Sequence, residues 1–168
     1  MKRSALIVGA GSGLSSSLAL QCANLGMTVA LAARNVEKLE DLGIQTKASL
    51  HKCDASKIED VNRLFKDLDE KLGIPELVVY NPSARLRGPI ETLDPEKTKE
   101  ALNVTCFGAF LVAQQAAKRM LKRGSGSIFF TGASAGVKGF ANSSVFAMGK
   151  FGLRGLAQAL ARELHPKN

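Results

Sequence analysis

The chain of 168 residues contains no tryptophan, one tyrosine and two histidines, and aromatic residues make up only 5% of it. This scarcity leaves few rings on which nucleic-acid bases could stack. Cysteine is also rare, and Cys22, Cys53 and Cys106 lie far apart in apolar or strand-like segments. Such spacing does not suit a disulfide framework or a cysteine-based metal site. It predicts reduced, buried thiols in a cytoplasmic protein.

Long apolar runs are absent as well, and no stretch approaches the length that crosses a membrane. Residues 1–4 lead directly into an apolar segment, so we expect no signal peptide. The net charge is +8, and its densest cluster repeats at helical spacing near a predicted helix end: Lys118, Arg119, Lys122 and Arg123. Cations favour the C-terminal end of a helix dipole, so the cluster predicts a solvated helix terminus rather than a nucleic-acid surface.

The apolar segments that do occur are short, and helical patterns separate them. Strands are predicted at 5–8, 28–32, 48–53, 77–80 and 127–131, and helices at 13–25, 36–42, 56–72, 96–123 and 145–164. This alternation predicts one α/β domain over residues 1–168, a Rossmann-type doubly wound parallel sheet with strand order 3-2-1-4-5. Ligands of such sheets bind at the carboxyl ends of the strands.

A glycine-rich turn joins the first predicted strand to the first predicted helix. It contains Gly9, Gly11 and Gly13 within five residues. Glycines let the backbone approach a pyrophosphate closely, and the helix N-terminus offers free N–H groups and a partial positive charge. Strand, glycine turn and helix in this order predict a dinucleotide-binding site.

Five motifs in order resemble the short-chain dehydrogenase/reductase family along the whole chain. Residues 9–15 are similar to the family's glycine motif, although Ser15 stands where a third glycine is usual and should slightly crowd the helix start. The other four are Cys53-Asp54, Asn81 after the fourth strand, the segment 126–136, and Lys150 in the last helix. The resemblance implies a cofactor site formed by Gly9, Ser12, Gly13, Leu14, Arg34, Asp54, Ala55, Asn81 and Lys150.

The end of the second strand bears on the choice of cofactor. An NAD-preferring site would place a carboxylate here for the ribose hydroxyls, but this chain has Ala33 and Arg34. A guanidinium can pair bidentately with a 2′-phosphate. The sequence therefore predicts NADP(H) in preference to NAD(H).

The resemblance also implies a catalytic tyrosine, serine and asparagine beside the lysine, and all three are replaced here. The corresponding positions read Phe146, Ala133 and Thr105. Proton transfer needs a titratable group within hydrogen-bond reach, and phenylalanine has none. Lys150 and Ser134 remain as candidate catalytic residues. The only tyrosine is on the fourth predicted strand, and neither histidine is on a predicted active-site loop.

Two functions stay open on these grounds. One is an NADP(H)-dependent oxidoreductase that acts on a small carbonyl or alcohol with weak or altered chemistry. The other is a non-catalytic dinucleotide-binding protein used for sensing or assembly. The family typically continues with further strands, so we expect a truncated chain whose substrate pocket is incomplete. The resemblance implies a homo-oligomer formed through the two long helices.

Overall fold

Five parallel strands form one sheet in the order β3-β2-β1-β4-β5, in a computed structural model that describes residues 3–167. The strands are β1 (Ser4–Val8), β2 (Thr28–Ala33), β3 (Ser49–Lys52), β4 (Leu77–Tyr80) and β5 (Ser127–Phe130). The helices are α1 (Leu14–Asn24), α2 (Glu40–Thr46), α3 (Ile58–Lys71), α4 (Pro95–Leu102), α5 (Gly108–Arg123) and α6 (Ser144–Leu164). The predicted fold class and strand order are confirmed.

The central strand β1 separates two apolar layers. Leu6 and Val8 face the layer that contains residues of α3 and α5, whereas Ala5 and Ile7 face the layer that contains residues of α1 and α2. All four side chains are at most 1% exposed. A strand covered on both faces needs a continuous apolar sequence, and this is why residues 5–8 lack polar alternation.

The predicted helix 96–123 is not a single α-helix. It is divided by a π-helical turn, Asn103–Phe107, that lies between α4 and α5. Within this turn the Val104 carbonyl accepts a hydrogen bond from the Tyr80 hydroxyl, and π-helical turns are frequent at functional sites. The π-helical turn matters for function because it lies beside the carboxyl end of β4.

The two long helices expose fewer apolar side chains than their sequences suggest. Leu111, Val112 and Leu153 are buried in the fold. Three aromatic rings stay exposed, namely Phe107 (40%), Phe110 (42%) and Phe151 (47%). Within residues 3–167, no helix is both long and apolar enough to cross a membrane.

Two residues of the basic cluster at the end of α5 make contacts that hold the fold together. Arg119 forms a bidentate ion pair with Asp69, with nitrogen to oxygen distances of 2.8 and 2.6 Å. Arg123 donates to the carbonyls of Ser125 and Ile74. These contacts join α5 to α3, to the loop before β4 and to the loop between α5 and β5.

We predict that Gly108→Ala lowers the free energy of unfolding by about 1–3 kcal/mol. A Cβ there would lie 2.5 Å from the Tyr80 hydroxyl and 2.6 Å from the Ala55 carbonyl oxygen, so packing must shift. Gly155→Ala in α6 is the matched control, because a Cβ at that position meets no atom within 4 Å. Alanine's better helix propensity should make the control up to about 1 kcal/mol more stable. Urea unfolding of both variants checks this, and equal shifts would contradict the packing argument.

Candidate functional site

The turn after β1 depends on glycine at its first position. Gly9 has φ +77°, and its N–H donates to the Ala32 carbonyl at 2.9 Å. A Cβ on Gly9 would lie 2.6 Å from Cγ of Pro82, so both the backbone angle and the close approach exclude larger residues. A Cβ on Gly11 or Gly13 would meet nothing within 4 Å. These two positions therefore leave open space beside the turn.

The resemblance predicts that Ser15 crowds the helix start, but the structure accommodates this side chain. Its side chain is buried, and its hydroxyl donates to the Gly9 carbonyl at 3.2 Å. The same hydroxyl accepts a hydrogen bond from Nδ2 of Asn81 at 2.8 Å. Ser15 thus connects the glycine turn to the loop after β4, a role that a glycine could not fill.

An open cleft of about 510 Å³ runs along the carboxyl ends of the strands. Six of the predicted cofactor residues line it, and they are Gly9, Ser12, Arg34, Asp54, Ala55 and Asn81. Gly13, Leu14, Lys150 and Ser134 are not among its lining residues. The cleft is where the switch in strand order places the ligand of a doubly wound sheet.

The end of the cleft beyond β2 carries two cationic side chains. Arg34 and Lys38 are both exposed and both line it, together with Asn35. Lys38 is a site residue that the sequence reasoning missed. It is four residues after Arg34, in a 3-10 turn (Glu37–Leu39), so helical spacing was the available signal.

The segment after β3 forms the wall near the adenine-binding position. Oδ1 of Asp54 accepts hydrogen bonds from the N–H and the hydroxyl of Ser56 at 3.1 and 2.7 Å. The Asp54 N–H donates to Asp60 at 2.8 Å, and this bond is the main reason that the pKa of Asp60 is lowered. Burial raises the pKa of the neighbouring Cys53 thiol to about 12, so that thiol stays protonated and is no nucleophile.

Thr105, at the family's asparagine position, is 1% exposed and holds the loop after β4. Its Oγ1 accepts the N–H of Ala84 at 3.0 Å and lies 3.5 Å from the Ala84 carbonyl oxygen. Ser134 is exposed and begins a 3-10 turn (Ser134–Gly136), and Ala133 precedes it in extended conformation.

Phe146 and Lys150 lie one turn apart on α6, as their spacing predicts. The Lys150 ammonium donates to the Thr131 carbonyl at 2.7 Å and lies 5.9 Å from the Phe146 ring centroid. Burial, together with the nearby charge of Arg85, lowers the pKa of Lys150. Arg85 itself stacks on the same ring, with Cζ 4.5 Å from the centroid. The sequence reasoning missed Arg85 because its partner is on a distant element.

The other titratable groups that could replace the tyrosine lie elsewhere. Tyr80 is fully buried with its hydroxyl bonded to Val104, and burial raises its pKa. His51 is buried on β3 beside the Ser49 hydroxyl at 2.9 Å, and burial lowers its pKa. Neither side chain lines the cleft.

Comparison with known proteins identifies relatives of this chain. The sequence matches the family profile described as short chain dehydrogenase over residues 3–168. The 3-oxoacyl-(acyl-carrier-protein) reductase MabA of Mycobacterium tuberculosis is 30% identical over 169 residues, covering 100% of this chain and 66% of MabA. The sepiapterin reductase of Chlorobaculum tepidum is 30% identical over 172 residues, covering 95% of this chain and 70% of the relative. The chain therefore spans slightly less than two thirds of the MabA sequence.

Solved structures agree with the sequence relatives. A short-chain dehydrogenase from Rhodopseudomonas palustris superposes with a TM-score of 0.93 at 32% identity, covering 99% of this chain and 80% of the other. A metagenomic short-chain oxidoreductase in complex with NADP has a TM-score of 0.94 at 26% identity, covering 98% and 77%. With the glycine turn, the cleft and the strand order described above, these matches establish that the chain belongs to the short-chain dehydrogenase family.

Proposed function

We propose that this chain is an NADP(H)-binding oxidoreductase of weak or altered chemistry, directed at a small carbonyl or alcohol. The observation that carries the proposal is the cleft whose lining joins the glycine turn, at one end, to Arg34 and Lys38 at the other. A dinucleotide needs a close backbone approach for its pyrophosphate and a polar end for its ribose. The residues present supply both.

Each predicted cofactor residue has a place in this proposal. The turn residues Gly9, Ser12, Gly13 and Leu14 would hold the pyrophosphate, since the first N–H groups of α1 have no partner within the helix. Asp54 and Ala55 would border the adenine, and Asn81 and Lys150 the nicotinamide end. NADPH supplies a hydride when it is bound. The protein's own residues bind, orient and exclude water.

The proposed preference for NADP(H) rests on the positive charges at the end of the cleft beyond β2. The guanidinium of Arg34 and the ammonium of Lys38 lie where an NAD site would have a carboxylate, and a 2′-phosphate can pair with both. The solved relative that holds NADP is consistent with this choice but is a different protein.

Arg34→Ala should weaken NADPH binding by roughly 10–100-fold and leave NADH binding nearly unchanged. A charge-assisted contact to phosphate is worth about 1.5–3 kcal/mol, and about 1.4 kcal/mol is a tenfold change in affinity. Titration of nicotinamide fluorescence with each cofactor measures the ratio. Arg162→Ala, an exposed arginine far along α6, serves as control and should keep the wild-type ratio. An unchanged ratio in Arg34→Ala would show that this side chain does not select the cofactor.

The second candidate, a non-catalytic dinucleotide-binding protein, is favoured by the side chains at the catalytic positions. Phe146 cannot donate a proton, Ala133 cannot orient a substrate oxygen, and Thr105 is committed to Ala84. Lys150 retains a role in cofactor binding without the tyrosine. Ser134 is the remaining hydroxyl to test, although an unassisted hydroxyl is a poor acid near neutral pH.

Turnover of the natural protein separates the two candidates, and a gain of function tests the assigned catalytic positions. Phe146→Tyr with Ala133→Ser should raise carbonyl reduction towards the roughly 10²–10⁴-fold that general acid–base assistance contributes. Phe146→Leu with Ala133→Ser is the control, because it adds the serine but no phenol. NADPH consumption with a panel of aldehydes and ketones provides the measurement. Fast turnover by the natural sequence would contradict the proposed weakness, and Ser134→Ala would then be the next variant.

We also propose that the protein is a cytoplasmic homo-oligomer. Free cysteines suit a reducing compartment. For assembly, the exposed rings of Phe107, Phe110 and Phe151 lie on the helices through which the family commonly pairs, and exposed apolar patches often mark interfaces.

Light scattering at micromolar concentration should therefore give a mass above that of one chain. Phe110→Ser with Phe151→Ser should lower the mass to the monomer value, because both rings would leave the contact surface. Ile44→Ser, which replaces an even more exposed apolar side chain on α2, should leave the mass unchanged. A monomeric mass for the natural protein would exclude this mode of assembly.

A further inference from the structure

The loop after β4 holds Arg85 in a defined place. Ala84, its chain neighbour, is hydrogen-bonded through its N–H to the buried Thr105 hydroxyl at 3.0 Å. Thr105 in turn packs closely against α6, since a Cβ on Gly149 would lie 2.9 Å from its methyl carbon. The backbone before Arg85 is thus fixed relative to the helix that carries Phe146.

Two cations share one aromatic ring at this point. The Arg85 guanidinium carbon lies 4.5 Å from the Phe146 ring centroid and the Lys150 ammonium lies 5.9 Å from it. Both distances fall within the range of a cation–π contact. The ring therefore attracts both side chains to the position where the family's tyrosine would stand.

No carboxylate balances these charges among residues 3–167. Neither Arg85 nor Lys150 forms an ion pair with a described acidic side chain, and the hydrogen bond of Lys150 goes to a neutral carbonyl. Like charges held close together are stabilised by a bound anion.

We infer that Arg85 and Lys150 bind a carboxylate of the substrate above the Phe146 ring, so that the substrates are small oxo acids or the corresponding hydroxy acids. This inference rests on the proposed function, which places the nicotinamide end of the cofactor beside Lys150. The cofactor's own phosphates have separate partners at the glycine turn and at Arg34. A guanidinium presents two parallel N–H groups that match a carboxylate, and so Arg85 is the residue that selects for charge.

The test compares compounds that differ only in charge. The probes are the 2-oxo, 3-oxo and 4-oxo pentanoates, each paired with its methyl ester, and titration calorimetry measures their binding with and without saturating NADPH. At least one acid should bind the natural protein tenfold or more tightly than its ester. Arg85→Gln should abolish this preference. Arg87→Gln, which removes an exposed arginine two residues along the same loop, should keep it.

The outcomes separate the inference from the proposed function. Equal affinities for acid and ester, a preference that survives Arg85→Gln, or one lost equally in Arg87→Gln would each overturn the carboxylate site. NADPH binding is measured in the same titrations, so its absence would refute the proposed function alone. An acid preference seen without NADPH would still support Arg85 as the anion-binding residue.

Discussion

The hydrogen bond from the buried Tyr80 hydroxyl to the Val104 carbonyl holds the π-helical turn against the end of β4, beside the site. A hydroxyl this deeply buried must find a partner, and the acceptor here belongs to a helix. That acceptor lies in the π-helical turn, which also contains Thr105, the residue that bonds to the loop after β4. The close approach also requires Gly108, where any Cβ would meet Tyr80. Through Thr105 and Ala84 this turn also holds the loop whose Arg85 stacks on Phe146.

The residues at the family's catalytic positions make other contacts in this chain. Thr105 fixes a loop, Phe146 supports a guanidinium, and Lys150 donates to the end of β5. At the tyrosine position the chain has a ring that stacks on the Arg85 guanidinium, beside the retained ammonium of Lys150. Proton donation accelerates a reaction, whereas fixed charges select and hold an anion. In the proposed function, this part of the site recognises charge and does not donate a proton.

Sequence alone predicted the sheet, its strand order and six of the cleft residues, because each depends on local signals. Apolar runs, glycine at the turn and cationic residues after β2 can be seen within a few positions. The π-helical turn, the Ser15 bridge and the Arg85 stack could not be predicted in this way. Each of them joins groups on different elements: the Tyr80 hydroxyl to the Val104 backbone carbonyl, 24 residues apart, and the Asn81 side chain to that of Ser15, 66 residues apart. No periodicity encodes such pairs.

The cleft and the family's catalytic positions are built from different parts of the sheet, so residues at one can change without altering the other. The cleft is lined from the ends of β1, β2, β3 and β4, while Ala133, Phe146 and Lys150 lie beyond β5 or on α6. The glycine turn, Ser15 and Asn81 bond to one another and include neither Phe146 nor Lys150. Substitution at Phe146 or Ala133 consequently leaves those contacts intact. Lys150 is the exception in the proposed function, since it would serve both the cofactor and the anion.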